Sequence, residues 1–594
     1  MAWEIIMKIS IKKVLPPLLI VVFSFLMMVT SPLYHFAYNL TDFNCTMSVA
    51  KALAHGQVYF KDIFEQRGIY LYFIHLVSGL MPYYAAKTFI WILEVLNLLG
   101  VYWLILKIGA LFNNKKTYYY STAAILIFIL FMPSSNNTAD PEEWCLIPIV
   151  YSIYLAFKQK FTLKDSWLLG IAMAYVINIK YSLMLIIAGL YFAVGLRMLF
   201  QKQFKQFGKT VLSAILGVIT GFIPAIVYFA STNSIDKWLK YYFLDNASSI
   251  NLSNSVNILL YYILTMGLFL CFTAWPIVTL IYKINLTQKL NILSQLVWGI
   301  LGILLIGRAG IGYFLPIIMY LGVLAAIGIP NIDFKAAPKI FKIAIAVVQI
   351  FVVGCYAYKS LRYIGFDNGI VRIPNTTYYN EARAKRPSYY ASRMIDKFGD
   401  GKVLTYQTIT NDIYMYNNEY PRLFYFDQTT MSYYKYPESL QAQNRYLATS
   451  KPKWVEHTTS VERQPNGMSD QELVHQEAIY AKRQRKSNTY SLAEVTAGVE
   501  WKDHAMDQFI KYPTQLVKLK DGTYYVRFTL PKVLVKNYKL VYLGMAGHDK
   551  SIEGSMQMLW VRNNALSKYP SLKKYVINPN DINANLNSYN SYNY

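Results

Sequence analysis

Apolar runs of roughly 17–25 residues, the length that crosses a bilayer's hydrocarbon core, recur through the first 360 positions of this chain. Inside that core no water satisfies the backbone, so each run is confined to a helix that bonds its own peptide groups. The runs fall at about 14–33, 83–106, 117–133, 142–157, 166–179, 181–199, 210–230, 256–282, 290–307, 313–329 and 340–357. They predict a polytopic α-helical membrane protein of about 11 transmembrane helices. With 55% of its 594 residues hydrophobic, the chain is not an ordinary soluble protein.

The connections give the threading a direction. Lys8, Lys12 and Lys13 precede the first run, and no small-x-small cleavage site follows it, which predicts an uncleaved first span with a cytoplasmic N-terminus. Alternate connections at 107–116, 158–164, 197–209, 282–289 and 331–339 are rich in Lys and Arg, as cytoplasmic loops are. The intervening stretch at 134–143, SSNNTADPEE, has neither. The net charge of +25 is thus a positive-inside bias, and no recognition motif makes nucleic acid a partner. An odd number of spans places everything after Lys359 outside the cell. The four cysteines, Cys45, Cys145, Cys271 and Cys355, are scattered and have neither metal-ligand nor redox spacing.

Three parts follow from this: a membrane catalytic domain at 1–359 with a first outer loop at about 34–82, an extracytoplasmic domain at 360–575, and a low-complexity Asn/Tyr/Ser tail at 576–594. In the middle part, DGKVLTYQT reads as a loop and a strand, and NDIYMYNNEYPRLFYFD as a helix, a turn and extended chain. SKPKWVEHT and TYYVRFTLPKVLV read as further strands. A small α/β module followed by a β-rich part is expected.

The candidate chemistry lies in the outer loops. Asp42 is the first acid after the first span; Asp62 and Glu65 share its loop, and Asp140, Glu142 and Glu143 sit in the next. Two acidic patches at neighbouring span mouths could deprotonate an incoming hydroxyl, with Asp42, Asp62, Glu142 and Glu143 as the catalytic candidates. They could equally hold a divalent cation such as Mg2+ or Mn2+ through Asp42, Asp140 and Glu142. DPEEW also has the makings of a helix N-terminus, so capping and catalysis both stand open for Glu142 and Glu143. Arg67, Lys180 and Arg308 lie near the same face, where they could grip a phosphate or, for the last two, snorkel to headgroups. Arg67 could instead pair with Glu65 or Asp62. His55 and His75 read as structural. No Walker A loop, dinucleotide fingerprint, nucleophile elbow or HExxH motif occurs in a fitting context.

Three stretches together resemble the GT-C superfamily of integral-membrane glycosyltransferases, in particular the bacterial protein-mannosyltransferase and aminoarabinose-transferase-like group. They are Asp42 with AHGQVYFKDIFEQRGIYLYFI, the DPEEW segment, and RAGIGYFLP at 308–316. The stretch GKVLTYQTITNDIYMYNNEYPRLFYFD is similar to the small α/β module that follows the last span in such chains. Ile69 departs from the pattern, which often has Pro after the Gly. The resemblance implies a polyprenyl-phosphate-linked sugar as donor, Asp42 as general base, and Arg67, Lys180, Arg308 and Tyr313 around the donor phosphate. It leaves metal dependence open. The expected protein is a multi-pass glycosyltransferase of the bacterial plasma membrane, with a cell-wall polysaccharide, teichoic acid or lipid-linked glycan as acceptor. The rivals are a flippase for lipid-linked sugars and an O-antigen-type polymerase or ligase.

Overall fold

The computed structural model describes residues 11–28, 30–34, 41–112, 117–134, 139–247, 255–306 and 311–331, and scattered positions between 343 and 354. Further along it describes 387–399, 402–406, 411–427, 438–449, 452–462, 529–546, 553–578 and short strands between 489 and 526. The chain divides into two compact units: residues 1–46 with 66–374, and residues 47–65 with 375–594.

The first unit is helical. Among the described residues, three apolar segments, Tyr83–Leu111, Leu163–Phe200 and Phe204–Ser231, are long enough to cross a membrane. The second of these is two helices, Leu163–Lys180 and Met184–Phe200. Lys180 adopts an extended backbone (φ −152°, ψ 98°), which ends the first helix before a short 3-10 turn over Tyr181–Leu183. Helices also run over Ile11–Met27, Thr117–Ser134, Ser255–Lys283, Leu286–Leu304 and Ile311–Gly328. Of the span expected at 340–357, only scattered positions are described.

One expected span differs. Over 142–157 the chain forms a single turn, Pro141–Trp144, then a 12-residue helix, Leu146–Phe157. Pro148 has no N–H to offer the Trp144 carbonyl, so the helical ladder is interrupted between them. At about 1.5 Å per residue the second piece is too short to cross a bilayer upright.

Close helix contact rests on small residues. Gly217 and Gly221 stand one turn apart, and an added Cβ would lie 2.1 Å from the Trp167 carbonyl oxygen and 2.6 Å from the Ala174 Cβ respectively. Helices Leu163–Lys180 and Phe204–Ser231 can therefore touch through their backbones, the small-xxx-small arrangement of membrane helices. Buried hydrogen bonds supply the rest: Gln295 Nε2 donates to Ser152 Oγ at 2.7 Å, and Tyr320 donates to Gln295 Oε1 at 3.1 Å. Three helices are joined by that chain of polar groups.

The second unit contains a four-stranded sheet in the order Val403–Tyr406, Trp454–Glu462, Glu553–Arg562, Tyr538–Ala546. The first pair is parallel, with the helices Asp412–Tyr416 and Glu438–Thr449 between its strands, and the other pairs are antiparallel. Trp454 and Trp560 are fully buried in it. TYYVRFTLPKVLV departs from expectation at its end: the strands Tyr524–Val526 and Thr529–Pro531 give way to a helix, Lys532–Asn537. Pro531 cannot donate to a ladder, and the next turn buries Leu534 instead.

Candidate active site

Asp42 lies in the first turn of the Thr41–Ala54 helix, where the helix dipole favours a carboxylate. Its side chain is 51% exposed, and Arg67 Nη2 reaches Oδ1 at 2.9 Å while itself only 15% exposed. Thr46 Oγ1, which donates to the Asp42 carbonyl at 2.9 Å, lies 3.4 Å from Arg67 Nη1. Arg67 thus pairs with Asp42.

Gly68 fixes where Arg67 stands. Its N–H donates to the Ile179 carbonyl at 3.2 Å. A Cβ at this position would fall 1.9 Å from the Asn178 carbonyl oxygen, so only glycine allows the two backbones to meet. The contact sets Arg67 beside the end of the Leu163–Lys180 helix. Asn246 Nδ2 holds the preceding carbonyl, that of Gln66, at 3.1 Å.

Lys180, at that helix end, pairs with Glu142 through Nζ and Oε1. Glu142 is 2% exposed, and the Lys180 ammonium also sits 4.3 Å from the centre of the Tyr313 ring. Both cation–π contact and ion pairing hold the ammonium in place. Between the two pairs lies Asp140, 6% exposed. Burial pushes its carboxyl well above the usual range, Glu142 and Asp42 push it further, and Arg67 and Lys180 pull it back. These five residues therefore form one electrostatic cluster at the mouths of the helices.

Glu143 is buried and faces Glu94 of the Tyr83–Leu111 helix. Asp62 belongs to the second unit, where it accepts the Val58 N–H at 2.9 Å and closes a turn. Arg308 lies outside the described residues. His75 donates from Nδ1 to the Leu71 carbonyl at 2.8 Å and sits edge-on to Trp144. Burial brings its ring down to about 4, with Arg67 adding to the effect against the Leu71 bond, so it is a neutral structural group. In the second unit His55 stacks on Tyr420 at 4.6 Å.

Among the described residues, no three His, Cys, Asp or Glu side chains are grouped so that they could hold an ion. Asp42 and Glu142 spend oxygens on Arg67 and Lys180, so Asp42, Asp140 and Glu142 do not present the oxygen-rich, unpaired set that Mg2+ or Mn2+ needs. No metal step follows from this donor set. Sequence reasoning placed Asp140 in the second acidic patch and among metal ligands, and did not identify Gly68 as a site residue. The Arg67-Gly68 pair beside an aromatic helix was the available signal.

No family model matches the chain, and no curated protein matches it. Among solved structures it is similar to ArnT from Cupriavidus metallidurans bound to undecaprenyl phosphate, at 12% identity and a TM-score of 0.49, over 82% of this chain and 96% of that one. The apo state of the same protein is similar at 11% identity and a TM-score of 0.49, over 76% and 91%. Overlap at this level carries no argument about chemistry, which rests on the side chains described above.

Proposed function

We propose that this chain is a membrane glycosyltransferase of GT-C type that moves a sugar from a polyprenyl-phosphate donor to a hydroxyl on an extracytoplasmic glycan or polymer. The observation that carries this reading is a half-exposed carboxylate, Asp42, held by Arg67 in one cluster with Lys180. Such a set has one group to take a proton and two cations to receive a departing phosphate.

The step balances simply. The acceptor oxygen forms a bond to the anomeric carbon as the bond from that carbon to the phosphate oxygen breaks. The hydroxyl proton passes to Asp42, and the electron pair leaves on the polyprenyl phosphate. Arg67 aligns Asp42, and its charge faces a phosphate that arrives beside that carboxylate. Lys180 has three donors, and its pair with Glu142 leaves others for the phosphate. Tyr313 keeps its ammonium from swinging away. Alignment and charge stabilisation at a fixed site supply the rate. A single displacement predicts inversion at the anomeric carbon. We place the site on the outer face of a bacterial plasma membrane, where no nucleotide is needed because the leaving group remains in the lipid.

The test uses purified protein in lipid with radiolabelled polyprenyl-phosphate sugars and a cell-wall extract. Transfer that requires Asp42 supports the reading. Lipid-linked sugar crossing sealed vesicles without transfer would replace it with a flippase.

A further inference from the structure

Behind the cluster stand two buried carboxyls that the chemistry above does not use. Glu94 lies within the apolar Tyr83–Leu111 helix and is 2% exposed, a costly place for an acid. Its Oε1 accepts the Ala139 N–H at 2.8 Å, and its Oε2 accepts the Thr30 hydroxyl. One turn along, on the same helix face, Asn97 Nδ2 donates to the Glu143 carbonyl at 2.7 Å. The Glu143 carboxyl lies against that of Glu94, and the Ala139 N–H lies near it as well. A proton shared between the two buried carboxyls is what lets them face each other.

The segment these groups hold is not at rest by itself. Ala139 has φ +54°, a left-handed backbone that a residue with a side chain seldom adopts, at a cost of about 1 kcal/mol or more. Its N–H goes to Glu94 and its carbonyl receives Trp144 Nε1 at 3.2 Å. The turn that follows carries Asp140 and Glu142.

We propose that Glu94, Asn97 and Glu143 form a clamp that fixes residues 139–144, so that Asp140 and Glu142 face Lys180. Glu94 and Glu143 are then positioning residues, and Glu143 takes no part in proton transfer to or from substrate. The clamp rests on the glycosyl-transfer reading only through its activity readout.

The test uses the full chain with Cys45, Cys271 and Cys355 replaced by Ser, leaving Cys145, which is fully buried directly after the turn. Maleimide labelling of Cys145 reports the turn whatever the protein's activity. Glu143→Ala and Glu94→Ala should label about tenfold faster than the parent or more, because the first leaves a cavity behind the turn and the second strands the Ala139 N–H. Glu143→Gln, which keeps an N–H toward Glu94, should restore slow labelling and the kcat/KM that Glu143→Ala loses. Unchanged labelling in both Ala variants overturns the clamp. So does a Gln variant as inactive as the Ala variant while Cys145 stays protected, since that makes Glu143 a reacting acid. If the parent itself transfers no sugar, the functional reading fails, and the order of labelling rates still decides the clamp.

Discussion

Two ion pairs in the first unit use the same chemistry to different ends. In Asp42–Arg67 the carboxylate is 51% exposed and the cation 15%; in Glu142–Lys180 the carboxylate is 2% exposed and the cation 20%. The first pair leaves its acid open to solvent and the second hides its acid, while the two cations are exposed alike. Exposure therefore separates the two acids, and on the proposed reading only Asp42 is open to an arriving hydroxyl. Asp140, between them, feels the charges of both.

Removing the open acid should have the largest effect. Asp42→Asn keeps the shape but not the basicity, and transfer should fall by about a hundredfold or more at equal expression. Asp62→Asn should stay within a few-fold of the parent. Equal losses in the two would erase the distinction between the acids.

Stability should separate the cations. Lys180→Ala strands a buried Glu142 carboxylate and should cost about 2–3 kcal/mol, at the low end for a broken buried pair because Lys180 keeps a fifth of its surface. Arg67→Ala leaves an exposed acid and should cost under about 1 kcal/mol, with its main loss in donor KM. Thermal unfolding in detergent reads the first difference, and steady-state kinetics the second. Comparable losses of stability would mean the two pairs are buried alike.

Gly68→Ala sharpens the comparison from outside both pairs. The added methyl meets the Asn178 carbonyl, the backbones must part, and Arg67 moves with them. A loss of about 1–3 kcal/mol is expected, together with weaker transfer. A variant with parental kcat and KM would show that Arg67 finds Asp42 without this contact.

The smallest expected effect is that of pH through Asp140. Its carboxyl is raised on folding, so the folded state holds the proton more tightly than the unfolded chain. Stability from this group is complete below the unfolded value of about 3.9 and is lost as pH rises toward the folded value. Asp140→Asn should remove that decline and raise the unfolding temperature at neutral pH. A steeper decline in the variant would mean that Asp140 works as a paired anion.

How far the chain could be read from its sequence differed between elements. The helices at 83–111, 163–180 and 204–231 were legible because a bilayer imposes length and apolarity along a continuous stretch. The break at Cys145 was not, since it depends on which carbonyl Pro148 leaves unbonded inside an otherwise apolar run. Asp42, Arg67, Glu142 and Lys180 stood out singly as charges at run ends. Their partners did not, because pairing depends on which helix ends meet, and Gly68 against Asn178 decides that.

The sequence by itself determined a helical membrane protein with acids and bases gathered at the ends of its apolar runs, because hydropathy and charge act locally along the chain. Only the tertiary structure decided that Asp42 takes Arg67, that Glu142 takes Lys180, and that Glu143 turns inward to Glu94. Those choices join residues between 25 and 49 positions apart. Coulomb attraction and burial set them in space, and no spacing in the chain records them.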